Sequence, residues 1–409
     1  MRRLATIVTI KNIEAVPNRD FIGLASMNEN FWKVIVRKSD FNSGDKAVYF
    51  EIDSWLPDRP VFEFLRAQSL KVFRDRLGYR IRSMKMTVVS QGLLMPLKSF
   101  PELIPAENSA VKFQPGDDVT ELLGVELYEM PEPAEEASMP KTKRRRKYPH
   151  FVRRTDENRI QSFKPEQLKQ LDGKNYVVTE KLDGTSSTYY YNQGKFGLCS
   201  RNLELTTLFD KGLLGKIFEW LKRKIFWSQF HYKFGFSKGI YEDIALKYKL
   251  HKKLPAWCRE HKRNIAVQGE ILGPGISNNR LKQNDFGFYV FNIFDIDKQG
   301  YLDWDEVCEI ARTLGLQTVP VIEKSRRLNF SVTAIDELIE SADGITLLYS
   351  PSETDSARKN TKNQIPLTEI EPQHPIREGV VWRERSERGK ISRFSFKIIS
   401  NEYLLEHGL

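Results

Sequence analysis

Cysteine and long apolar runs are scarce in this sequence, and both shortages exclude classes of protein. The 409 residues contain three cysteines, Cys199, Cys258 and Cys308, which are odd in number and too widely spaced for a disulfide framework or a zinc site. No stretch reaches the roughly 18 apolar residues that a membrane-spanning helix needs. The N-terminus lacks the sustained apolar core and small-residue cleavage site of a secretory signal. We therefore expect no membrane contact and a reducing, cytoplasmic location.

Acidic residues are outnumbered by basic ones, which gives a formal net charge of +10 and a pI of about 9.2. Lys and Arg gain affinity for polyanions by releasing counterions from phosphates, so this balance favours nucleic acid as the partner. The composition, 40% hydrophobic and 29% charged, is that of a globular protein rather than a disordered one. The length allows two or three domains with proper cores.

Residues 1–127 have the pattern of a small β domain. Two strands are predicted at Trp32–Val36 and Ala47–Ile52, joined by a turn, and residues 79–97 add further short strands. Short strands with close turns and few long helices are typical of a small barrel or sandwich, and a five-stranded OB-type barrel is one candidate.

Residues 128–150 form a second compositional zone, in which proline, alanine and acidic residues give way to a basic run at 141–147. This composition predicts a linker or an exposed loop. Three interpretations of the basic run stay open: a nucleic-acid contact, a nuclear address, or a solvated run of charge.

Residues 151–409 mix strands and helices, which predicts an α+β domain. Six strands are predicted, at 176–181, 187–191, 265–270, 288–294, 379–383 and 394–399. Two later helices are predicted near 303–314 and 332–341, and residues 350–375 have the composition of a loop.

Between two of these strands, residues 206–262 are rich in lysine and aromatic residues and predict a helical insert. Apolar residues recur at helical spacing, at Leu213, Leu214, Ile217, Phe218, Leu221 and Ile225 and again at Ile240, Ile244 and Tyr248. The aromatic side chains fit a hydrophobic core better than a platform that stacks on bases. The pattern assigns the insert no function.

Six short motifs lie at the ends of strands or within them, and they carry residues suited to chemistry. They are Lys181-Leu182-Asp183-Gly184, Ser200-Arg201-Asn202, Gln268-Gly269-Glu270, Phe288-Tyr289-Val290-Phe291, Glu378-Gly379-Val380-Val381 and Ser395-Phe396-Lys397-Ile398. The first motif alone is more typical of a solvated strand end. Together the six provide a candidate nucleophile, an arginine, two carboxylates, an aromatic face and a second lysine for one cleft.

In order and spacing, these motifs resemble motifs I, Ia, III, IIIa, IV and V of the covalent nucleotidyltransferase superfamily, which contains ATP-dependent DNA ligases, RNA ligases and mRNA capping enzymes. The segments RRLATIVTIKNIEAVPNRD, SGDKAVYFEIDSWLP and YPHFVRRTDENRIQSF resemble one RNA-ligase clade, often called the fifth. The resemblance implies an N-terminal OB-type barrel over 1–127, the linker over 128–150, and a nucleotidyltransferase (ATP-grasp-like ligase) domain over 151–409 with the insert at 206–262.

The resemblance further implies an ATP-dependent RNA ligase that joins 3′-OH and 5′-phosphate ends through a lysyl-AMP intermediate and an adenylylated 5′ end. The clade suggests nicks in duplexes with RNA on the 3′-OH side as the substrate, in RNA repair. A DNA ligase or a capping guanylyltransferase would continue into a C-terminal OB domain, whereas 12 residues follow Lys397 here. Those two enzymes, and a non-catalytic RNA-binding protein on the same fold, are the alternatives.

The same resemblance assigns roles to individual residues. Lys181 would be the nucleophile that carries AMP, and Lys397 would contact the α-phosphate. Glu378 would hold Mg²⁺ or Mn²⁺, or the waters around it. Asp183 and Arg201 would contact the ribose and the nucleic-acid end.

Further residues would bind the nucleotide. Glu270 would contact the ribose hydroxyls, and Glu180 would accept a hydrogen bond from the adenine amino group. Either Phe291 or Phe288 would stack on adenine; the two lie on opposite faces of one strand, so the other belongs to the core. Arg159 would grip the outgoing pyrophosphate or the 5′-phosphate.

Motif V departs from the common pattern of the superfamily. Many members carry two lysines there, whereas here Ser395 takes the first position and Lys397 the second. A lysine ammonium is a poor nucleophile at neutral pH, and nearby positive charge disfavours the ammonium form of Lys181. Lys390, Arg393 or a metal ion would then supply the missing charge.

Overall fold

The computed structural model describes residues 2–104, 113–128, 145–205, 239–330, 334–348, 374–385 and 394–409. Several features predicted from the sequence lie outside these ranges: the apolar spacing at 213–225, most of the basic run, the loop at 350–375 apart from its last two residues, and the charges of Lys390 and Arg393. No helix within the described ranges is long and apolar enough to cross a membrane.

The N-terminal part folds as antiparallel sheets around one hydrophobic core. Its strands are β1 Ala5–Val16, β2 Arg19–Met27, β3 Lys33–Arg37, β4 Lys46–Phe50, β5 Ser54–Pro57, β6 Leu70–Phe73, β7 Arg76–Arg80, β8 Ser83–Lys85, β9 Val89–Gln91, β10 Leu93–Pro96 and β11 Glu126–Leu127. One sheet has the order β10-β4-β1-β2-β3, another has the order β11-β5-β7-β6, and β8 pairs with β9. A short helix, α1 Arg66–Ser69, precedes β6. The strands predicted near 32–36 and 47–52 are present, displaced by one or two residues.

The rest of the described chain alternates strands and helices. Its strands are β12 Arg145–Lys147, β13 Asn175–Lys181, β14 Thr185–Asn192, β15 Lys195–Cys199, β16 Leu203–Leu205, β17 Ile265–Leu272, β18 Gly287–Asp295, β19 Gly300–Tyr301, β20 Gln317–Thr318, β21 Val321–Arg327, β22 Gly379–Glu384 and β23 Ser395–Ile399. Its helices are α2 Pro165–Leu171, α3 Ile240–Lys247, α4 Leu250–His261, α5 Trp304–Leu314, α6 Ile335–Glu340 and α7 Asn401–Glu406. All six predicted strands and both later predicted helices are present, with ends that differ by up to three residues.

Two sheets of this part are joined at the first motif. The larger sheet has the order β12-β16-β15-β14-β17-β18-β19, with β20 parallel to β18, and the smaller one has the order β21-β13-β22-β23. The chain passes from the smaller sheet to the larger one between β13 and β14, through Leu182-Asp183-Gly184. A Cβ on Gly184 would lie 2.3 Å from the carbonyl oxygen of Ile271. Glycine is therefore required for this close approach to β17.

The described end of the predicted insert belongs to a hydrophobic core. Ile244 of α3 and Leu250, Leu254 and Trp257 of α4 are buried together with residues of β14, β17 and β18. In this part of the insert, apolar side chains at helical spacing pack against the large sheet, as the periodicity predicted.

The C-terminal end of the chain packs against the N-terminal sheets. Ile399 and Leu404 lie in the same hydrophobic cluster as the strands of the first sheet. The backbone N–H of Ser83 donates to the terminal residue Leu409 at 3.1 Å, and α7 follows directly after β23. The N-terminal sheets are therefore in contact with the strand that carries Lys397.

Candidate active site

Lys181 is the last residue of β13, and its side chain lies beside a carboxylate from the neighbouring strand. In the pairing of β13 with β22, Lys181 stands opposite Gly379, which places Glu378 directly before β22. Nζ of Lys181 lies 2.5 Å from Oε2 of Glu378. Burial raises the pKa of Glu378, and the positive charge of Lys181 acts in the opposite direction. Two motifs separated by 197 positions thus meet as an ion pair.

Lys397 contributes a second amine to the site. In the pairing of β22 with β23, Lys397 stands opposite Val381. The pKa of Lys397 is lowered to about 7, mainly by burial and then by the positive charges of Lys181 and Arg159, while Glu378 opposes the shift. Near neutral pH a substantial fraction of this amine is therefore uncharged, unlike a solvated lysine.

Glu270 brings a further carboxylate from the larger sheet. It stands opposite Ser186 in the pairing of β14 with β17. Burial raises the pKa of Glu270 to about 8; the charges of Glu378 and Asp183 add to the shift and that of Lys181 opposes it. The carboxylates of both sheets therefore converge on one lysine.

Asp183 is held by two residues that the sequence motifs did not include. Nη1 of Arg280 donates to Oδ2 of Asp183 at 2.8 Å and to the hydroxyl oxygen of Tyr403 at 3.1 Å. The Tyr403 hydroxyl donates to the same Asp183 oxygen. Burial raises the pKa of Tyr403, and the negative charge of Asp183 raises it further, so the hydroxyl remains a donor. Asp183 is therefore held by one residue of the loop that follows β17 and by one residue of α7.

The loop that precedes Arg280 has a strained backbone. Ser277, Asn278 and Asn279 have φ values of 46°, 56° and 49°, in the left-handed region that costs a residue other than glycine about 1 kcal/mol or more. The Ser277 hydroxyl donates to the carbonyl oxygen of Gly184 at 3.1 Å. Asn tolerates this region better than most residues. The two asparagines of the sequence ISNNR therefore indicate a tight loop, which the sequence analysis did not predict.

Arg159 lies where the N-terminal sheets meet the rest of the chain. Its Nη2 donates to Oδ2 of Asp53 at 2.9 Å. Arg2 lies 3.2 Å from Asp53 and 2.7 Å from Glu51. Burial acts to raise the pKa of Asp53, but the charges of Arg159 and Arg2 outweigh it and the pKa is lowered. Arg159 is thus positioned by a residue of the N-terminal part, and its charge reaches Lys397.

Arg201 lies at the exposed edge of the site. Its Nη2 donates to Oδ1 of Asp156 at 2.7 Å, and about half of the Arg201 side chain is exposed. Its charge also acts on Glu270. The structure therefore brings Arg201 near the carboxylates while leaving it accessible to a large ligand.

Glu180 lies on the other side of β13 from Lys181, because adjacent residues of a strand point to opposite faces. It accepts hydrogen bonds from the Thr346 hydroxyl and from the backbone N–H of Leu347, the latter at 2.8 Å. The residue is almost fully buried, and burial raises the pKa of Glu180. Both of its oxygens already have protein donors.

The two candidate stacking phenylalanines differ in burial. Phe288 is 1% exposed and packs edge-on against Tyr189, with ring centroids 5.1 Å apart. Phe291 is only partly buried and falls within an irregularity of the β17–β18 pairing, a feature that redirects side chains. The guanidinium of Arg383 lies 6.0 Å from the Phe291 ring centroid. Phe288 is therefore a core residue, and Phe291 is the one open to a ligand.

Ser395, at the position where a lysine is common, is part of a polar contact. Its hydroxyl donates to Oε2 of Glu157 at 2.5 Å. The backbone N–H of Lys397 donates to the carbonyl oxygen of Asn158 at 2.9 Å. The segment around residue 158 therefore follows the edge of β23 beside Lys397.

The carboxylates of the site suit a hard divalent cation. Among the described residues, no group of three His, Cys, Asp or Glu side chains is arranged to hold a metal ion alone. Mg²⁺ is commonly bound by one or two carboxylates together with substrate phosphates. Glu378, beside the Lys181 amine, offers oxygen donors of this kind, so the donor set fits a cation that shares its ligands with a phosphate.

Family models match most of the chain. An RNA ligase model matches residues 174–399, and an OB-fold domain model matches residues 4–97. The predicted OB-type domain before an α+β ligase domain is thereby confirmed. No curated protein sequence matches the chain.

Solved structures match the chain over its whole length. A Naegleria gruberi RNA ligase with PPi has a TM-score of 0.74 and 29% identity, and the match covers 100% of this chain and 99% of that one. A lysine-to-methionine mutant of that ligase, with AMP and Mn, has the same TM-score, identity and coverage. A glutamate-to-alanine mutant with ATP and Mn has a TM-score of 0.74 and 28% identity, with 100% of both chains covered.

Proposed function

Because the chain belongs to the RNA ligase family, we propose that this ATP-dependent RNA ligase seals nicks in duplexes whose 3′-OH strand is RNA, and that Lys181 is its AMP carrier. The single observation that carries the proposal is the placement of Lys181 at the crossing between two sheets, in contact with Glu378 and close to Lys397 and Glu270. The similar ligase has been solved with ATP, AMP, PPi and Mn, which supports ATP and a divalent metal as its requirements here.

The first step transfers AMP to the enzyme. The ammonium of Lys181 first gives up one proton; the neutral Nζ then attacks the α-phosphorus of ATP, the new P–N bond forms as the bond to the pyrophosphate oxygen breaks, and the nitrogen loses a second proton to water. Oε2 of Glu378, 2.5 Å from that nitrogen, is placed to accept the first of these protons, and burial raises the pKa of Glu378, which favours that transfer. Lys397 stabilises the negative charge on the α-phosphate.

Mg²⁺ or Mn²⁺, held by Glu378 or its waters together with the phosphates, would neutralise phosphate charge during the transfer. Lys397 is the single lysine of its motif, and Arg159 is one of the cations, with Lys181 and Arg2, whose charge reaches it. We propose that Arg159, fixed by Asp53, replaces the second lysine and grips the pyrophosphate or the 5′-phosphate.

Binding of the adenosine involves residues of both sheets. Phe291 stacks on adenine, because it is partly exposed whereas Phe288 is buried. Glu270 accepts from the ribose hydroxyls. Glu180, which already accepts from Thr346 and from the backbone N–H of Leu347, would accept a further hydrogen bond from the adenine amino group and so favour ATP over GTP.

The two later steps use the nucleic acid. An oxygen of the 5′-phosphate attacks the phosphorus of lysyl-AMP, and the Lys181 nitrogen leaves and regains a proton. The 3′-OH then attacks the adenylylated 5′-phosphate and gives up its proton to water, forming the phosphodiester and releasing AMP. Asp183 and Arg201 orient the ribose and the nucleic-acid end; Arg280 and Tyr403 hold Asp183 for this task.

The strand preference is tested with four nicked duplexes that differ only in whether the 3′-OH strand and the 5′-phosphate strand are RNA or DNA. We expect sealing to require RNA at the 3′-OH side and to tolerate DNA at the 5′-phosphate side. Initial sealing rates are measured on nicks with a pre-adenylylated 5′ end, so that the reaction with ATP does not affect them. Equal rates on the all-DNA nick would contradict the assignment of RNA as substrate.

The compartment is part of the same proposal. We place the enzyme in the cytoplasm, or in the nucleus where the basic run at 141–147 acts as an address. Cys199, Cys258 and Cys308 are free thiols in the structure, which supports a reducing environment.

A further inference from the structure

A segment of residues 148–159, which we name the rim segment, runs along the edge of the candidate active site. The Thr155 hydroxyl lies 3.1 Å from that of Ser186, the residue opposite Glu270 in the sheet. Three residues later, the carbonyl oxygen of Asn158 accepts the backbone N–H of Lys397 at 2.9 Å. The rim segment is therefore tied to both sheets that supply the reacting groups.

Side chains of the large sheet hold the backbone of the rim segment just before these contacts. Nε2 of the buried Gln268 donates to the carbonyl oxygen of Arg153 at 2.7 Å, and the Tyr301 hydroxyl donates to that of Arg154 at 3.2 Å. Gln268 is the first residue of the motif that carries Glu270. Hydrogen bonds from the large sheet therefore hold the backbone of both arginines, while their side chains are exposed to solvent.

Arg153 and Arg154 differ from the other arginines of the site in their partners. Other arginines of the site are paired, Arg159 with Asp53 and Arg201 with Asp156. Within the described ranges neither Arg153 nor Arg154 forms an ion pair, although the charge of Arg154 acts on Asp156 and its guanidinium lies 5.8 Å from the Tyr148 ring centroid. Two adjacent, exposed arginines on a backbone held by hydrogen bonds, with no carboxylate in ion-pair contact among the described residues, suit a polyanion better than a small ligand.

We propose that Arg153 and Arg154 contact the sugar-phosphate backbone of the nicked duplex next to the break. The inference rests on the proposed function, since it gives the rim segment the task of presenting the 5′-phosphate to lysyl-AMP. Arginine binds phosphate oxygens in a bidentate manner, and such contacts position a duplex without reading its sequence. The contact belongs to the nucleic-acid steps and not to the reaction with ATP.

Binding of a nicked duplex to wild type and to the R153A/R154A variant, measured over a series of KCl concentrations, tests the proposal. Each phosphate contact that is lost lowers the slope of log affinity against log salt by about 1, so we expect a reduction of about 2. Sealing of a pre-adenylylated nick should fall by about tenfold or more at moderate salt. Self-adenylylation with ATP alone should stay within about twofold of wild type, because neither arginine contacts the groups assigned to that step.

Two further variants make the result specific. R153K/R154K keeps both charges, and we expect it to retain the wild-type salt slope. R37A/K38A removes an adjacent exposed basic pair that ends β3, and we expect it to leave the slope unchanged. An unchanged slope in R153A/R154A would overturn the inference, as would a parallel loss of self-adenylylation. If wild type itself neither labels with ATP nor seals, the proposed function fails instead.

Discussion

Lys181→Ala is expected to abolish the covalent label that α-labelled ATP leaves on the protein. The variant removes the atom that forms the P–N bond, and no neighbouring residue can replace it, because the next amine of the site, Lys397, starts from a different strand opposite Val381. The label is measured after denaturation and gel separation, with Mg²⁺ or Mn²⁺ present. Sealing of an unadenylylated nick should disappear with it.

Lys174→Ala is the matched control for this variant. Lys174 directly precedes the same strand, β13, and is likewise paired with a glutamate, at 3.0 Å from Glu384. We expect Lys174→Ala to keep the label. A labelled Lys181→Ala protein would contradict the role of Lys181, and a wild type unlabelled by ATP would favour a non-catalytic nucleic-acid-binding protein.

Lys397→Met is expected to slow self-adenylylation by about 100- to 1,000-fold, the usual loss when one donor that stabilises transition-state charge is removed. Methionine keeps most of the length and apolar stem of lysine but has no amine. The rate is followed in single turnover at saturating ATP, so that weakened ATP binding is separated from slower chemistry. A rate within about threefold of wild type would contradict the role of Lys397 at the α-phosphate.

The same variant should raise the thermal midpoint of the unliganded protein. Burial lowers the pKa of Lys397 to about 7, below the value near 10.4 of an unfolded lysine. At pH values between these two pKa values, the unfolded state binds more protons than the folded state. The free energy of unfolding therefore rises with pH through this group, and the buried lysine destabilises the fold most below about pH 7. We expect Lys397→Met to be stabilising at pH 6 and much less so at pH 9. Replacement of the exposed Lys11 by Met is the control, and an equal shift at both pH values would contradict the account.

Much of the fold could be predicted because the motifs lie on regular strands. The β-branched run before Lys181 and the glycine at 184 mark the end of β13, and the register of the sheet then brings Glu378 to the lysine. The choice between Phe288 and Phe291 could not be made from period-2 alternation, which separates the two faces but does not say which one is buried. Burial of Phe288 against Tyr189 supplies that answer.

The residues that support the motifs were harder to find, because they depend on tertiary contacts. Arg280 and Tyr403 reach Asp183 from 97 and 220 positions away, and neither lies in a motif. The partner of Arg159 comes from the N-terminal sheets, 106 positions away. Local patterns report strand ends and turns, whereas these contacts depend on how the two parts of the chain pack.

The most direct test of the central claim is a single-turnover chase. Enzyme loaded with labelled AMP and freed of ATP is mixed with a nicked duplex whose 3′-OH strand is RNA. We predict that the label leaves Lys181, appears briefly on the 5′-phosphate strand, and ends as free AMP, with one nick sealed per loaded enzyme. Label that stays on the protein, or that is released as AMP without a sealed strand, would contradict the claim.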